Sequence, residues 1–298
     1  MAHALELADI TVTFRSKDDP GQRYTAVADT TLHVGAGEFV SVVGPTGCGK
    51  STLLNIGAGL LQASSGQVRV FGEPLQGINR RAGYMFQAEA LMPWRSTIDN
   101  VMVGLQYRGL PEAQAREQAQ AWLARVGLAG FEDRYPHQLS GGMRKRTSLA
   151  QVLALDPDII LMDEPFSALD VQTRQLMENE VLALWAGETE QRRAAPSAEW
   201  APLVGGGREA TGGSNRRKAV LFITHDLDEA IAMSDRVVVL SAGPATHPIG
   251  EFAIDLPRPR DVAEVRNDPR FVALHAQIWG VLRDEVLKGY AQQLKKAA

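Results

Sequence analysis

Gly44-Pro45-Thr46-Gly47-Cys48-Gly49-Lys50-Ser51-Thr52 has the form G-x-x-x-x-G-K-[ST], the pattern of a loop that wraps a phosphate. An apolar run, Phe39 to Val43, leads into it, and a helix-like run, Ser51 to Leu61, leaves it. Glycines let the backbone curl so that its N–H groups point inward at an anion. The helix that follows adds its positive N-terminal end. Lys50 can reach the terminal phosphates, and Ser51 can offer its hydroxyl to Mg²⁺. An ordinary glycine-rich turn would require neither the strand before nor the helix after.

The 298 residues suffice for one or two domains, and 45% apolar with 22% charged residues is the balance of a soluble globular chain. A net charge of −4 shows no basic excess of the kind that marks a nucleic-acid binder. No stretch approaches the ~18 consecutive apolar residues that cross a bilayer. The N-terminus lacks the basic and apolar regions of a secretory signal, so none is expected. The single cysteine, Cys48, excludes an internal disulfide and fits a reducing compartment. It lies inside the loop, where a small side chain suffices.

Along the chain, Leu5 to Phe14, Thr31 to Val34 and Phe39 to Val43 read as strands, with a polar loop over Ser16 to Gln22. Phe14 and Tyr24 bracket that loop, and each is either a packed strand residue or a face for a nucleotide base. Ser64-Ser65-Gly66 reads as a turn before a strand over Gln67 to Phe71. Gly83 to Phe86 is an apolar strand ending at Gln87. Leu91-Met92-Pro93-Trp94 is an apolar cluster at a break, either packed on its own domain or open to a partner. Glu112 to Val126 is helical. Ser140 is a good N-cap for a helix running to about Leu155, and Gly141 and Gly142 beside it leave N–H groups open to an anion; a plain capped helix is equally compatible. Ile159 to Met162 is a buried strand without alternation, ending in Asp163 and Glu164. Acids at the carboxyl end of such a strand face the ligand crevice of an α/β sheet. A helix over Gln172 to Trp185 follows Ser167 to Asp170. Glycine and proline interrupt the segment from about 187 to 218, which reads as an inserted surface loop. A strand over Ala219 to Thr224 ends at His225, a short helix spans Glu229 to Ser234, and a strand spans Arg236 to Leu240. After Leu256-Pro257-Arg258-Pro259-Arg260, the spacing of Phe271, Leu274, Ile278, Leu282 and Val286 predicts an amphipathic helix.

Taken together, these motifs resemble the nucleotide-binding subunit of ATP-binding cassette (ABC) transporters. Gly44 to Thr52 matches Walker A, Gln87 the Q-loop, and Leu139-Ser140-Gly141-Gly142 the family signature. Ile159 to Asp163 with Glu164 matches Walker B, Ser167 to Asp170 the D-loop, and His225 the switch histidine. Leu91 to Arg95, Ser140 to Arg146 and Leu256 to Arg260 are similar to importers of nitrate, sulfonate, taurine and related small anions. Met143 departs from the glutamine common after the double glycine, and the gap between Asp170 and His225 is longer than usual.

The resemblance implies an α/β P-loop NTPase fold with a RecA-like parallel-sheet core, an antiparallel β subdomain and a helical signature subdomain over about 88–155. The ATPase domain would span 1–255 and a C-terminal helical extension 256–298. The implied reaction is ATP + H₂O → ADP + phosphate. Gly44 to Thr52 would hold the phosphates, with Phe14 on the adenine and Tyr24 in reserve. Ser51, Asp163 and Gln87 would serve Mg²⁺, Glu164 would be the general base, and His225 would contact the γ-phosphate. Ser140, Gly141 and Gly142 would act on ATP held by a second copy of the chain. The implied partners are that second copy, transmembrane permease subunits and, through them, a solute-binding protein, with no nucleic acid. The implied location is the cytoplasmic face of the inner membrane. A soluble cassette ATPase of DNA repair or translation is the alternative. A single cassette, one cysteine and an acidic balance argue against it, and a P-loop kinase would leave Ser140 to Gly142 without a role.

Overall fold

The computed structural model describes residues 3–15, 23–186 and 217–297. The loop expected over 16–22 and nearly all of the insert expected over 187–218 lie outside these residues. Strands β1 (His3–Arg15), β2 (Arg23–Gly35), β4 (Ser65–Val70) and β5 (Glu73–Pro74) form an antiparallel sheet in the order β2-β1-β4-β5. Strands β3 (Phe39–Val43), β6 (Ala82–Met85), β7 (Ile159–Asp163), β8 (Ala219–Ile223), β9 (Arg236–Leu240) and β10 (Pro248–Ala253) form the second, in the order β10-β9-β3-β8-β7-β6. All its neighbours are parallel except β10, which runs antiparallel to β9.

The parallel strands are apolar at nearly every position because both faces are covered. Successive residues feed two separate cores. Phe39, Ile160, Met162, Val220, Phe222, Val237 and Val239 join the core shared with the helices. Val40, Val42, Ile159, Leu161, Leu221, Ile223 and Val238 face the core shared with the antiparallel sheet and helix α1 (Lys50–Gly57). Each strand therefore joins the helical layer to the antiparallel layer.

Helices α2 (Thr97–Tyr107), α3 (Glu112–Arg125) and α4 (Gly141–Leu153) pack on one another, and α4 packs on β6. Helix α2 is not among the helices expected from the sequence, although its start is legible there. Ser96 caps it: the Asp99 N–H donates to Ser96 Oγ at 3.2 Å, and the Ser96 hydroxyl donates to Asp99 Oδ2 at 2.7 Å. Two boundaries also differ from expectation. Helix α1 stops at Gly57, short of Leu61, because the chain turns at Gly59 with φ +70°. Strand β4 includes Ser65 and Gly66, which were expected in a turn, because Ser65 pairs with Thr11 of β1.

Helices α5 (Val171–Trp185), α6 (Leu227–Met233) and α7 (Pro269–Ala297) complete the helical side. The apolar face of α7 is buried at Phe271, Ile278 and Leu282 in the same core as α6 and β9, while Val286 sits at its exposed end. Glu285 of α7 accepts a hydrogen bond from the Ala242 N–H at 2.7 Å, and the backbone of Gly289 lies against Pro45 of the phosphate loop. No helix among the described residues is long and apolar enough to cross a membrane.

One buried acid makes the stability of this fold depend on pH. Glu178 of α5 is fully buried and neither carboxylate oxygen has a hydrogen-bond partner. Burial, reinforced by the Glu229 carboxylate and opposed by Arg266 and Arg174, pushes its pKa from 4.5 to about 8. An acid with a raised folded pKa stabilises the fold fully below its unfolded pKa, and that contribution disappears as pH rises through the folded value. Unfolding free energy should therefore fall between pH 4.5 and about 8, with this residue contributing a slope of about 1.4 kcal/mol per pH unit. Glu178→Gln should flatten that dependence. Urea unfolding at pH 5.5 and 8.5 checks this, and parallel slopes for both proteins would refute it.

Candidate active site

The parallel order of the sheet brings the motif residues together. β3 pairs with β8, β8 with β7 and β7 with β6, with Val42 opposite Ile223, Asp163 opposite Ile223, and Met162 opposite Met85. The phosphate loop, His225, the two acids and Gln87 therefore leave four adjacent strands at their carboxyl ends, where open α/β sheets bind ligands.

The loop has the shape its sequence requires. Gly47 and Gly49 have φ of +76° and +107°, so successive N–H groups turn inward ahead of α1. A Cβ on Gly49 would also lie 3.0 Å from Val27 Cγ2. Lys50 is buried, and its ammonium donates to the carbonyls of Gly44 at 2.8 Å and Pro45 at 3.0 Å. Gly44, Pro45 and Thr46 complete the turn, and Thr52 lies in the first turn of α1. Cys48 is buried, and burial pushes its thiol pKa up, away from the thiolate a nucleophile needs.

Ser51 stands beside Asp163. Burial raises the Asp163 pKa, the neighbouring Ser51 side chain opposes this, and Glu164 adds to it. Two hard oxygen donors beside a phosphate cradle fit Mg²⁺, which takes few protein ligands and fills its shell with water and phosphate.

Glu164 adopts φ +46°, a left-handed conformation uncommon outside glycine. Its N–H donates to the Ile223 carbonyl at 2.9 Å, and the Ser167 hydroxyl donates to the Glu164 carbonyl at 3.1 Å. That backbone aims the carboxylate into the crevice. Gln87 Nε2 donates to Glu164 Oε2 at 3.1 Å, and His225 Nδ1 lies 3.3 Å from the same oxygen. The other oxygen, Oε1, has no hydrogen bond among the described residues, which leaves it open to accept a proton from water.

The structure does not bring every predicted residue to this cluster. Phe14 and Tyr24 are cross-strand partners, each 41% exposed. Tyr24 lines the hollow that opens onto Thr46 and Gly47, with Gly243, Pro244 and Gly289; Phe14 does not line it. Ser140, Gly141 and Gly142 stand at the N-terminus of α4, within the helical layer. Ser140 caps that helix, accepting from the Met143 N–H at 3.2 Å. Leu91 and Met92 are half-buried, whereas Trp94 is 74% exposed. Buried Asn100 pins this loop: its side chain accepts from the Met92 N–H at 2.7 Å and donates to the carbonyls of Met92, Arg95 and Ser96. Neither Asn100 nor the buried Lys145 is marked by the sequence, since a polar residue in a helix carries no local sign of burial.

Residues 27–167 match the family described as ABC transporter. The chain is 43% identical over 269 residues to an uncharacterised ABC transporter ATP-binding protein of Methanocaldococcus jannaschii, covering 90% of this chain and 88% of that one. It is 36% identical to the taurine import ATP-binding protein TauB of Yersinia pestis, covering 86% of this chain and 90% of TauB. For TauB of Shigella sonnei the identity is 38%, covering 85% and 89%. The ABC transporter cassette MJ0796 superposes with a TM-score of 0.68 at 26% identity, covering 85% of this chain and all of that one. It has been solved as a dimer, including a post-hydrolysis state bound to ADP and Pi. With Gly44 to Thr52, Asp163, Glu164, Gln87 and His225 gathered at the carboxyl ends of adjacent parallel strands, and with relatives this similar over most of its length, the chain belongs to the ABC transporter ATP-binding proteins and is an ATPase.

Proposed function

We propose that this ATPase drives uptake of a small anion such as taurine, another sulfonate or nitrate, working as a homodimer on separate permease subunits. The observation that carries the catalytic reading is the convergence of Gln87 and His225 on one oxygen of Glu164 beside the phosphate loop. The similarity to TauB over most of both chains supports the importer reading.

In this reading the inward N–H groups of Gly44 to Thr52 and the Lys50 ammonium hold the β- and γ-phosphates. Ser51 and Asp163, with Gln87 beside them, hold Mg²⁺, which neutralises phosphate charge when bound. Phe14 stacks on the adenine, with Tyr24 as the alternative. Glu164 Oε1 takes the proton from the attacking water, while Gln87 and His225 keep the carboxylate oriented. His225 also reaches the γ-phosphate. Ser140, Gly141 and Gly142 aim the N-terminus of α4 at the ATP of the partner copy, giving two composite sites in a two-fold dimer. The dimer sits at the cytoplasmic face of the membrane through its permease, which receives solute from a binding protein; nucleic acid has no part. The segments 1–255 and 256–298 act as the ATPase domain and a C-terminal helical extension.

The Asn100-pinned loop presenting Trp94 suits a permease helix: a rigid, exposed aromatic orders little on binding. Trp94→Ala should weaken co-purification with the permease by about ten-fold or more while nucleotide binding stays unchanged. ATP-dependent uptake of taurine, alkanesulfonates and nitrate into liposomes holding the complex tests the whole reading. Unaltered assembly would overturn the docking surface, and no uptake of any of these anions would overturn the substrate class.

A further inference from the structure

Lys145 belongs to none of the groups assigned above, yet it is among the most deeply buried charges in the protein, at 1% exposure. It stands in the second turn of α4, five residues after the Ser140 cap. Its ammonium donates to two backbone carbonyls just past the end of β6, those of Phe86 at 3.1 Å and Gln87 at 2.6 Å. The adjacent Arg144 lies 3.8 Å from Glu89, on the same segment. Two consecutive residues of the signature helix therefore grip the stretch from Phe86 to Glu89.

Taking an ammonium out of water costs several kcal/mol unless hydrogen bonds and opposite charge replace the lost hydration. Burial lowers the Lys145 pKa, and the carboxylates of Glu89, Asp163 and Glu164 oppose that shift. A methionine would fill similar volume without that cost, but it could not hold two carbonyls. Gln87 is the residue whose carbonyl receives the shorter bond and whose side chain donates to Glu164 at 3.1 Å. Fixing a backbone carbonyl fixes the Cα next to it, and hence the direction from which the side chain reaches.

We propose that Lys145 is a positioning residue for hydrolysis: it anchors the backbone of Gln87 so that its amide meets Glu164, and it ties the signature helix to that segment so that the two move together. This rests on the reading of Glu164 as general base and of Ser140 to Gly142 as the face presented to the partner. Within one chain, the strap connects the residue that orients its own base to the helix that completes the other site. A displacement of α4 is thereby carried to Gln87.

The test uses the full-length chain with Lys145→Met, Lys145→Gln and each combined with Gln87→Ala, measured by steady-state ATPase, nucleotide binding and thermal unfolding. Lys145→Met should lower kcat on the order of ten-fold with KM for ATP unchanged, since a displaced orienting group costs rate rather than affinity. Lys145→Gln, which keeps an N–H₂ donor, should recover most of that loss. In the Gln87→Ala background the substitution at 145 should cost nothing further, because the group it positions is gone. Wild-type kcat in Lys145→Met, or losses that add fully to those of Gln87→Ala, would overturn the proposal. If Lys145→Met does not fold, the same cycle is read with Lys145→Gln: a small loss that vanishes in the Gln87→Ala background supports the strap, and no loss or a fully additive one rejects it. Glu164→Gln run in parallel separates the two readings. Normal hydrolysis there removes the base, whereas a failed cycle with Glu164→Gln inactive removes only the strap.

Discussion

Glu164→Gln should reduce ATP hydrolysis by at least about 100-fold while ATP binding remains intact, because it removes the proton acceptor and little else. Glutamine matches glutamate in size, so the left-handed backbone at φ +46° and the bonds to Ile223 and Ser167 are retained. What changes is Oε1, the oxygen left free while Gln87 and His225 share Oε2. An amide there cannot take a proton from water at neutral pH. The phosphate loop, Lys50 and the Ser51–Asp163 pair are untouched, so nucleotide should bind as before. Since hydrolysis is what dissolves the nucleotide-bound dimer in this reading, the variant should accumulate as a dimer with ATP and as a monomer with ADP. Phosphate release, equilibrium nucleotide binding and sedimentation measure the three parts. A normal hydrolytic rate would show that another group takes the proton.

Gly142→Ala should abolish hydrolysis just as fully, by about 100-fold or more, without destabilising the chain. Within the protomer a methyl group at this position has room: a Cβ would lie 3.5 Å from Leu169 Cδ2 and 3.8 Å from the Ala168 carbonyl, both ordinary contacts. Gly142 also lacks the positive φ that would demand glycine. In the first turn of α4 alanine should stabilise the helix by a few tenths to about 1 kcal/mol. An inactive variant that melts no lower than wild type would therefore mean that the bare backbone serves a group outside its own chain. The contrast is Gly49, where φ +107° and the 3.0 Å approach to Val27 make alanine a folding defect.

Mixing makes the test sharper. Gly142→Ala chains keep an intact Lys50, and Lys50→Ala chains keep an intact signature. Each should be inactive alone. A heterodimer of the two holds one complete composite site, so an equal mixture should recover about a quarter of wild-type activity. No recovery, with heterodimers present, would mean that each chain completes its own site.

Several features of this protein follow from its sequence alone. Gly44 to Thr52 announces a phosphate cradle because backbone curvature, a lysine and a hydroxyl must follow one another in the chain. The burial of β3, β7 and β8 follows from nearly continuous apolar runs, and the α4 cap from Ser140, because these are local properties of a few neighbouring residues. Helix α2 was equally local, its Ser96 and Asp99 cap present in the sequence but passed over. Contacts made across the fold were different. Nothing near Lys145 in the chain reveals that its ammonium ends on carbonyls about sixty residues away, separated by 59 and 58 positions. The single oxygen shared by Gln87 and His225, the buried pair Glu178 and Glu229, and the approach of α7 to Pro45 likewise arise only from packing. Sequence specified which chemistry the phosphate loop could support, since that chemistry is written into consecutive residues. Tertiary structure decided how Glu164 is aimed and what holds its neighbours, since strand order and burial bring together groups with no covalent relation.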